Sequence, residues 1–171
     1  FLVGIHIADV SAFIKPGDEL FLSARKRGTS IYFPDRQIPM LPKILSEGAC
    51  SLIEGENRPA LSFLVHLTAK GEVVDFKVTR SVVRVKRRIS YSQAEKLLAA
   101  GQDAELKVLA DLSLRLQERR VENGALIIPI PDVNISINGN GRVQVHLGDV
   151  DTPARTLVAE FMVLANMLGA Q

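Results

Sequence analysis

The sequence predicts an α+β fold: a mixed, mainly antiparallel twisted sheet or sheets with packed helices. Two strand-like runs, ALSFLVHLTA (60–69) and EVVDFKVTRSVVRVK (72–86), are joined by Lys70-Gly71, which reads as a hairpin. A second pair, VNISIN and RVQVHLG, flanks the turn Asn138-Gly139-Asn140-Gly141. The helical patterns fall irregularly among these strands, which argues against a regular βαβ winding.

In chain order, FLVGIHIADV is nearly all apolar and rich in branched residues, and reads as a buried strand. Pro16-Gly17 makes a turn. Asp18 is placed to cap a helix ELFLSARKR that Gly28 ends. The stretch KRGTSIYFPDRQIPMLP (26–42) then combines cations, a short strand-like TSIYF, the turn pair Pro34-Asp35 and a proline-punctuated tail. PKILSEGA predicts one or two helical turns, and SLIEGENRP a loop. Ser92 can open a short helix that ends at Gly101. Asp103 to Asn123 carries Leu106, Leu109, Leu112 and Leu116 at helical spacing, with Gly124 as the stop. ALIIPI is a further strand candidate. Thr152-Pro153 is a good helix start, because proline in the first turn lacks only a donor that has no partner there. The following ARTLVAEFMVLANML is apolar on most faces and implies a buried helix.

The chain has 171 residues, 47% of them hydrophobic and 23% charged, with a formal net charge of +2. That is enough for one domain with a real core and too apolar for a disordered segment. The charge balance neither demands nor excludes nucleic acid, so any basic face must come from clustering. The single Cys50 excludes an internal disulfide and fits a reducing, cytoplasmic setting. No run of about 18 apolar residues occurs, so no membrane span is expected. No secretory leader pattern is visible. Both ends fall inside apolar elements, so residues 1–171 are expected to be part of one domain of a longer chain, truncated at both ends.

Several residues could carry chemistry. Tyr32, at the end of a short strand and beside Lys26, Arg27 and Arg36, suits a base-stacking platform flanked by phosphate-binding cations; the alternative is a ring packed under a loop. Arg80, Arg84, Lys86 and Arg88 fall at even positions of one predicted strand, giving either a stripe that tracks a phosphodiester backbone or a charge-protected edge. Asp9, at the end of the first strand, could reach a metal or a catalytic water, or could cap the ADVS turn. Tyr91 stands at a helix entrance, where it could contact a ligand or close the end of the core. Glu160, inside the apolar final helix, needs a partner that Arg155 at i−5 cannot supply, so it is a functional candidate or half of a structural ion pair. His6, His66 and His146 show no metal-ligand spacing. No GxGxxG, P-loop, GxSxG, HExxH or CxxC pattern is present.

The segments VGIHIADVSAFIKPGDEL, RKRGTSIYFPDRQIPMLP, LSEGACSL with NRPALSF, GEVVDFKVTRSVVRVKRRISY and VAEFMVLAN occur in this order over nearly the whole chain. Together they resemble the catalytic (RNB) domain of the ribonuclease II and ribonuclease R family of exoribonucleases. The resemblance implies processive 3′→5′ hydrolysis of single-stranded RNA to nucleoside 5′-monophosphates, with Mg²⁺ held by clustered aspartates. It also implies a monomeric parent with flanking RNA-binding domains. Tyr32 matches the family's stacking tyrosine, and Tyr91 a second tyrosine that helps select ribose. The family's aspartate cluster lies upstream of the strand that opens this chain, so metal ligands are expected before Phe1. The arginine-bearing motif that assists hydrolysis and the terminal RNA-binding barrel would lie beyond Gln171. Ile128 stands where the family has another stacking aromatic, and Ala159 where some members have the first of two glutamates. Those departures keep a rival open: a non-catalytic RNA-binding or regulatory protein with the same fold. A small-molecule enzyme has little support without a cofactor motif.

Overall fold

The computed structural model describes residues 1–128, 132–137, 139, 142–148 and 152–171. The first strand, β1 (Leu2–Ala8), leads through a 3₁₀ turn at Val10–Ala12 into α1 (Glu19–Arg27). Two short strands follow, β2 (Ile31–Tyr32) and β3 (Gln37–Ile38), and then a π-helical turn, Ile44–Ala49. The long hairpin is β4 (Asn57–Leu67) and β5 (Val73–Arg84). Next come α2 (Tyr91–Ala100), α3 (Ala104–Glu122), β6 (Asp132–Ile137), β7 (Val143–Gly148) and α4 (Pro153–Gly169).

The main sheet has the order β1-β4-β5 with both pairings antiparallel, as the α+β expectation requires. The registers Val3↔Val65 and Ile5↔Phe63 put alternate residues of the strands on one face. That face carries Val3, Phe63, Val65 and Leu67 against Leu112 and Leu116 of α3 and Phe161, Leu164 and Leu168 of α4. Each fully buried side chain of this kind contributes about 1.5–3 kcal/mol. The β4–β5 turn depends on Gly71, whose φ of +73° favours glycine. It is also crowded, because a Cβ added there would meet Arg115 Cβ at 3.1 Å.

The structure corrects several local expectations. β1 is covered on one face only: Val3 is buried, while Leu2, Gly4 and His6 are exposed. Asp18 precedes α1 but does not cap it; its carboxylate accepts the Lys15 N–H at 2.9 Å instead. The cap of α2 is Ser90 rather than Ser92, in a capping box with Gln93. Ala125–Ile128 of ALIIPI are not strand, and Pro129 and Ile130 lie outside the described residues. Of the Asn138–Gly141 turn, only Gly139 is described, but the antiparallel β6–β7 pairing shows the hairpin. α4 buries one face, with Ala154, Glu160, Phe161, Leu164, Ala165 and Leu168 inside. Its Val158, Met162 and Met167 remain exposed, because α3 and the sheet pack against one side.

Candidate nucleic-acid interface

Gly28, at φ +72°, ends α1 and turns the chain into the β2–β3 hairpin. Within it, Phe33 N–H donates to Arg36 O at 2.7 Å across the Pro34-Asp35 turn. The base of the hairpin is tied by Met40 N–H to Ser30 Oγ (2.9 Å) and by the Arg27 guanidinium to Pro39 O (2.9 Å). Gln37 donates to Glu47 Oε1 at 2.6 Å, anchoring the outgoing strand to the π-helical turn. Every residue from Ile31 to Ile38 is exposed, and Tyr32 is 76% exposed. The backbone is thus held while the phenol ring stays open. Arg36 lies 5.2 Å from the Phe33 ring centre, a cation–π contact that sets a charge beside the hairpin aromatics.

A second group surrounds an open cleft of about 760 Å³ between α2 and α4, lined by Arg88, Ser90, Tyr91, Gln93, Ala154 and Leu157 among others. Tyr91 occupies the first turn of α2 and is 47% exposed. The Arg155 guanidinium sits 5.3 Å from its ring centre. Sequence reasoning dismissed Arg155 as the partner of Glu160 and missed its contact with Tyr91. Arg88 reaches this cleft from the loop before α2, where its backbone N–H donates to Glu54 at 2.8 Å.

The four-residue cationic stripe is not realised on one strand. β5 ends at Arg84, so only Arg80 and Arg84 share its face, while Lys86 and Arg88 lie in the loop beyond. Arg80 is already engaged, by Asp9 at 3.6 Å and Ser11 Oγ at 3.1 Å. Asp9 in turn accepts from the Ser11 hydroxyl at 2.5 Å, and its amide donates to Pro59 O. Asp9 stands before the 3₁₀ turn, but its carboxylate makes no capping bond to that turn's backbone. Burial, followed by the nearby Asp9 charge, pushes the Cys50 thiol above its ordinary pKa.

Glu160 is buried, and its partner is Arg120 of α3, which donates to both carboxylate oxygens at 2.6 and 2.8 Å. That bidentate bond holds the Arg120 pKa above its ordinary value. No sequence spacing links residues so far apart, so the pair was invisible beforehand. His6 bonds to Ser62 Oγ at 2.7 Å, and His66 to Asp75. The side chain of His146 lies outside the described part. Ile128 is 70% exposed and Ala159 is also exposed. Among the described residues, no three His, Cys, Asp or Glu side chains come together as a metal site, and no helix is long and apolar enough to cross a membrane.

A family model described as the RNB domain matches residues 1–171. The chain is 37% identical over 175 residues to Ribonuclease R of Thermotoga maritima, a match that covers 97% of this chain and 25% of that protein. It superposes on Mycoplasma genitalium RNase R in complex with double-stranded RNA with a TM-score of 0.88 at 25% identity, covering 96% of this chain and 31% of that one. The same RNase R in complex with ribose-methylated single-stranded RNA gives 0.85. Yeast Ssd1, described as a pseudonuclease, shares the fold at a TM-score of 0.72 and 20% identity, over 94% of this chain and 20% of that one. The chain spans 24 to 25% of the length of the curated relatives it matches first.

Proposed function

The chain belongs to the RNB domain family, and from that premise we propose that its parent protein is a 3′→5′ exoribonuclease. In this reading it hydrolyses single-stranded RNA processively, releases nucleoside 5′-monophosphates, and works as a cytoplasmic monomer with flanking RNA-binding domains. The observation that carries the proposal is the open Tyr32 ring on an anchored hairpin, whose base holds Arg27 on Pro39 O and whose turn sets Arg36 over the neighbouring Phe33 ring. An aromatic face fixed in this way stacks on an unpaired base whatever its identity, and nearby cations neutralise the phosphates. Tyr91 and Arg88 supply a second polar and aromatic surface in the α2–α4 cleft, with Arg155 on the Tyr91 ring, and there the phenol hydroxyl is placed to meet a ribose 2′-hydroxyl. Arg84 extends the positive surface at the end of β5.

Mg²⁺ is proposed for the intact protein, where it would activate the attacking water. The described residues do not fit the ion: Asp9 is engaged by Ser11 and Arg80, and no three ligand side chains converge. The part of these residues is therefore to bind and orient RNA. Tyr32→Ala in the full-length protein tests this. The expected result is weaker retention of short products and a changed length of the last undigested oligonucleotide. An unchanged product ladder counts against stacking.

The rival reading, a non-catalytic RNA-binding or regulatory protein, draws on aliphatic Ile128 at a position expected to be aromatic, and on the fold shared with a pseudonuclease. The residues preceding Phe1 in the parent decide between the two. A D-x-D-D pattern there supports hydrolysis, since a hard divalent cation needs several oxygens, and its absence favours the rival.

A further inference from the structure

α2 grips the first turn of α4 at two points one helical turn apart. Tyr91 receives the Arg155 guanidinium over its ring at 5.3 Å. Four residues on, and so on the same side of α2, Glu95 Oε1 accepts the Ala154 N–H at 2.7 Å. The residue at the cap position of α4 does not do this work. The Thr152 side chain makes no capping bond, and its Oγ1 is buried without a hydrogen-bond partner among the described residues. The carboxylate of a neighbouring helix therefore satisfies an orphan N–H and sits at the positive end of the α4 dipole. Because Arg155 directly follows Ala154, the Glu95 bond anchors the backbone from which the guanidinium reaches the Tyr91 ring. Tyr91 and Ala154 both line the α2–α4 cleft.

We propose that Glu95 is a positioning residue: by holding Ala154 N–H, it keeps Arg155 on the Tyr91 ring and so presets the orientation of the phenol toward the RNA sugar. This rests on the reading above that Tyr91 contacts ribose. The test compares Glu95→Ala, Glu95→Gln and Tyr91→Ala in the full-length protein, using a single-stranded RNA and the DNA of the same sequence. Glu95→Ala is expected to lower the RNA-over-DNA binding ratio about fivefold, within the net scale of one hydrogen bond. Glu95→Gln keeps an accepting oxygen and should retain the ratio. If Tyr91→Ala leaves the ratio unchanged, the ribose reading of Tyr91 fails, and this inference with it. If Tyr91→Ala lowers the ratio and Glu95→Ala does not, only the role of Glu95 is overturned. Equal losses on RNA and DNA in Glu95→Ala are the mark of simple destabilisation and also overturn it, as does a Glu95→Gln defect as large as that of Glu95→Ala.

Discussion

Glu160 lies between α3 and α4 with 3% of its surface exposed and both carboxylate oxygens held by Arg120, whereas Tyr32 stands 76% exposed on a hairpin of two-residue strands. Both looked like functional candidates in the sequence, one as an acid in an apolar helix and the other as a ring among cations. The fold treats them oppositely. A charge carried into the helical layer has to be matched inside, and once matched it has nothing left to offer a ligand. The hairpin spends its hydrogen bonds on backbone and on its base, at Ser30, Arg27 and Gln37, and leaves the ring without an internal role. The contrast offers a criterion: a polar group that the protein itself completes is structural, and one left open, as Tyr32 is, is a candidate to face a ligand.

The largest effect expected from that contrast is at Glu160. Glu160→Ala leaves the Arg120 guanidinium against the α4 face without its carboxylate. It should cost about 3 kcal/mol, near the lower edge for broken buried pairs, because Arg120 keeps 40% of its side chain exposed. Urea unfolding measures this as a lower midpoint at unchanged slope. Should the midpoint hold while RNA turnover collapses, Glu160 belongs with the ligand-facing groups and the contrast fails.

Tyr32→Ala should behave in the reverse manner. Stability should stay within about 0.5 kcal/mol of wild type, as for surface changes generally. Affinity for single-stranded RNA should fall by about 1–3 kcal/mol, the value of one stacked base. The same protein preparation used for the product ladder serves for both measurements. A large loss of stability would place the ring in the packing of the loop, the alternative that the sequence left open.

How far the two regions could be read beforehand follows from the range of the interactions that make them. The α1 boundaries, the β4–β5 hairpin and the α3 leucine face depend on residues a few positions apart, and they appear as expected. The exposed Tyr32 hairpin was visible for the same reason: ring, turn and cations are sequence neighbours. The Arg120–Glu160 pair, the Glu95 bond to Ala154 and the Arg155–Tyr91 contact join distant segments, and no local pattern announces them. The cationic stripe failed differently. Even spacing places side chains on one face only while the strand lasts, and β5 stops at Arg84.

Arg84 and Arg88 lie between the two extremes. Neither is buried, and they stand on separate pieces of backbone. Reversing both charges should flatten the dependence of log affinity on log salt by about 0.7 for each phosphate of a single strand that is no longer neutralised. Titrations at several salt concentrations read that slope directly. A slope equal to wild type would mean that both are solvated edge charges.

Asp103 should show the smallest effect, and it is instructive because it is a half-buried acid that the protein does complete. Its Oδ1 accepts the Leu106 N–H at 2.9 Å as the cap of α3, and its other oxygen pairs with Arg87. The backbone bond first, and then Arg87, hold its pKa below the usual carboxylate range. The stabilisation is therefore fully present above the unfolded-state pKa of about 3.9 and is lost as pH falls through the lower folded-state value. Asp103→Asn keeps a capping oxygen but no charge. Wild type should then exceed the variant in stability at neutral pH, and the gap should close in acid. Urea midpoints at both pH values check this: no gap at either pH would show that the hydrogen bond to Leu106, which asparagine keeps, rather than the charge, is what holds the start of α3.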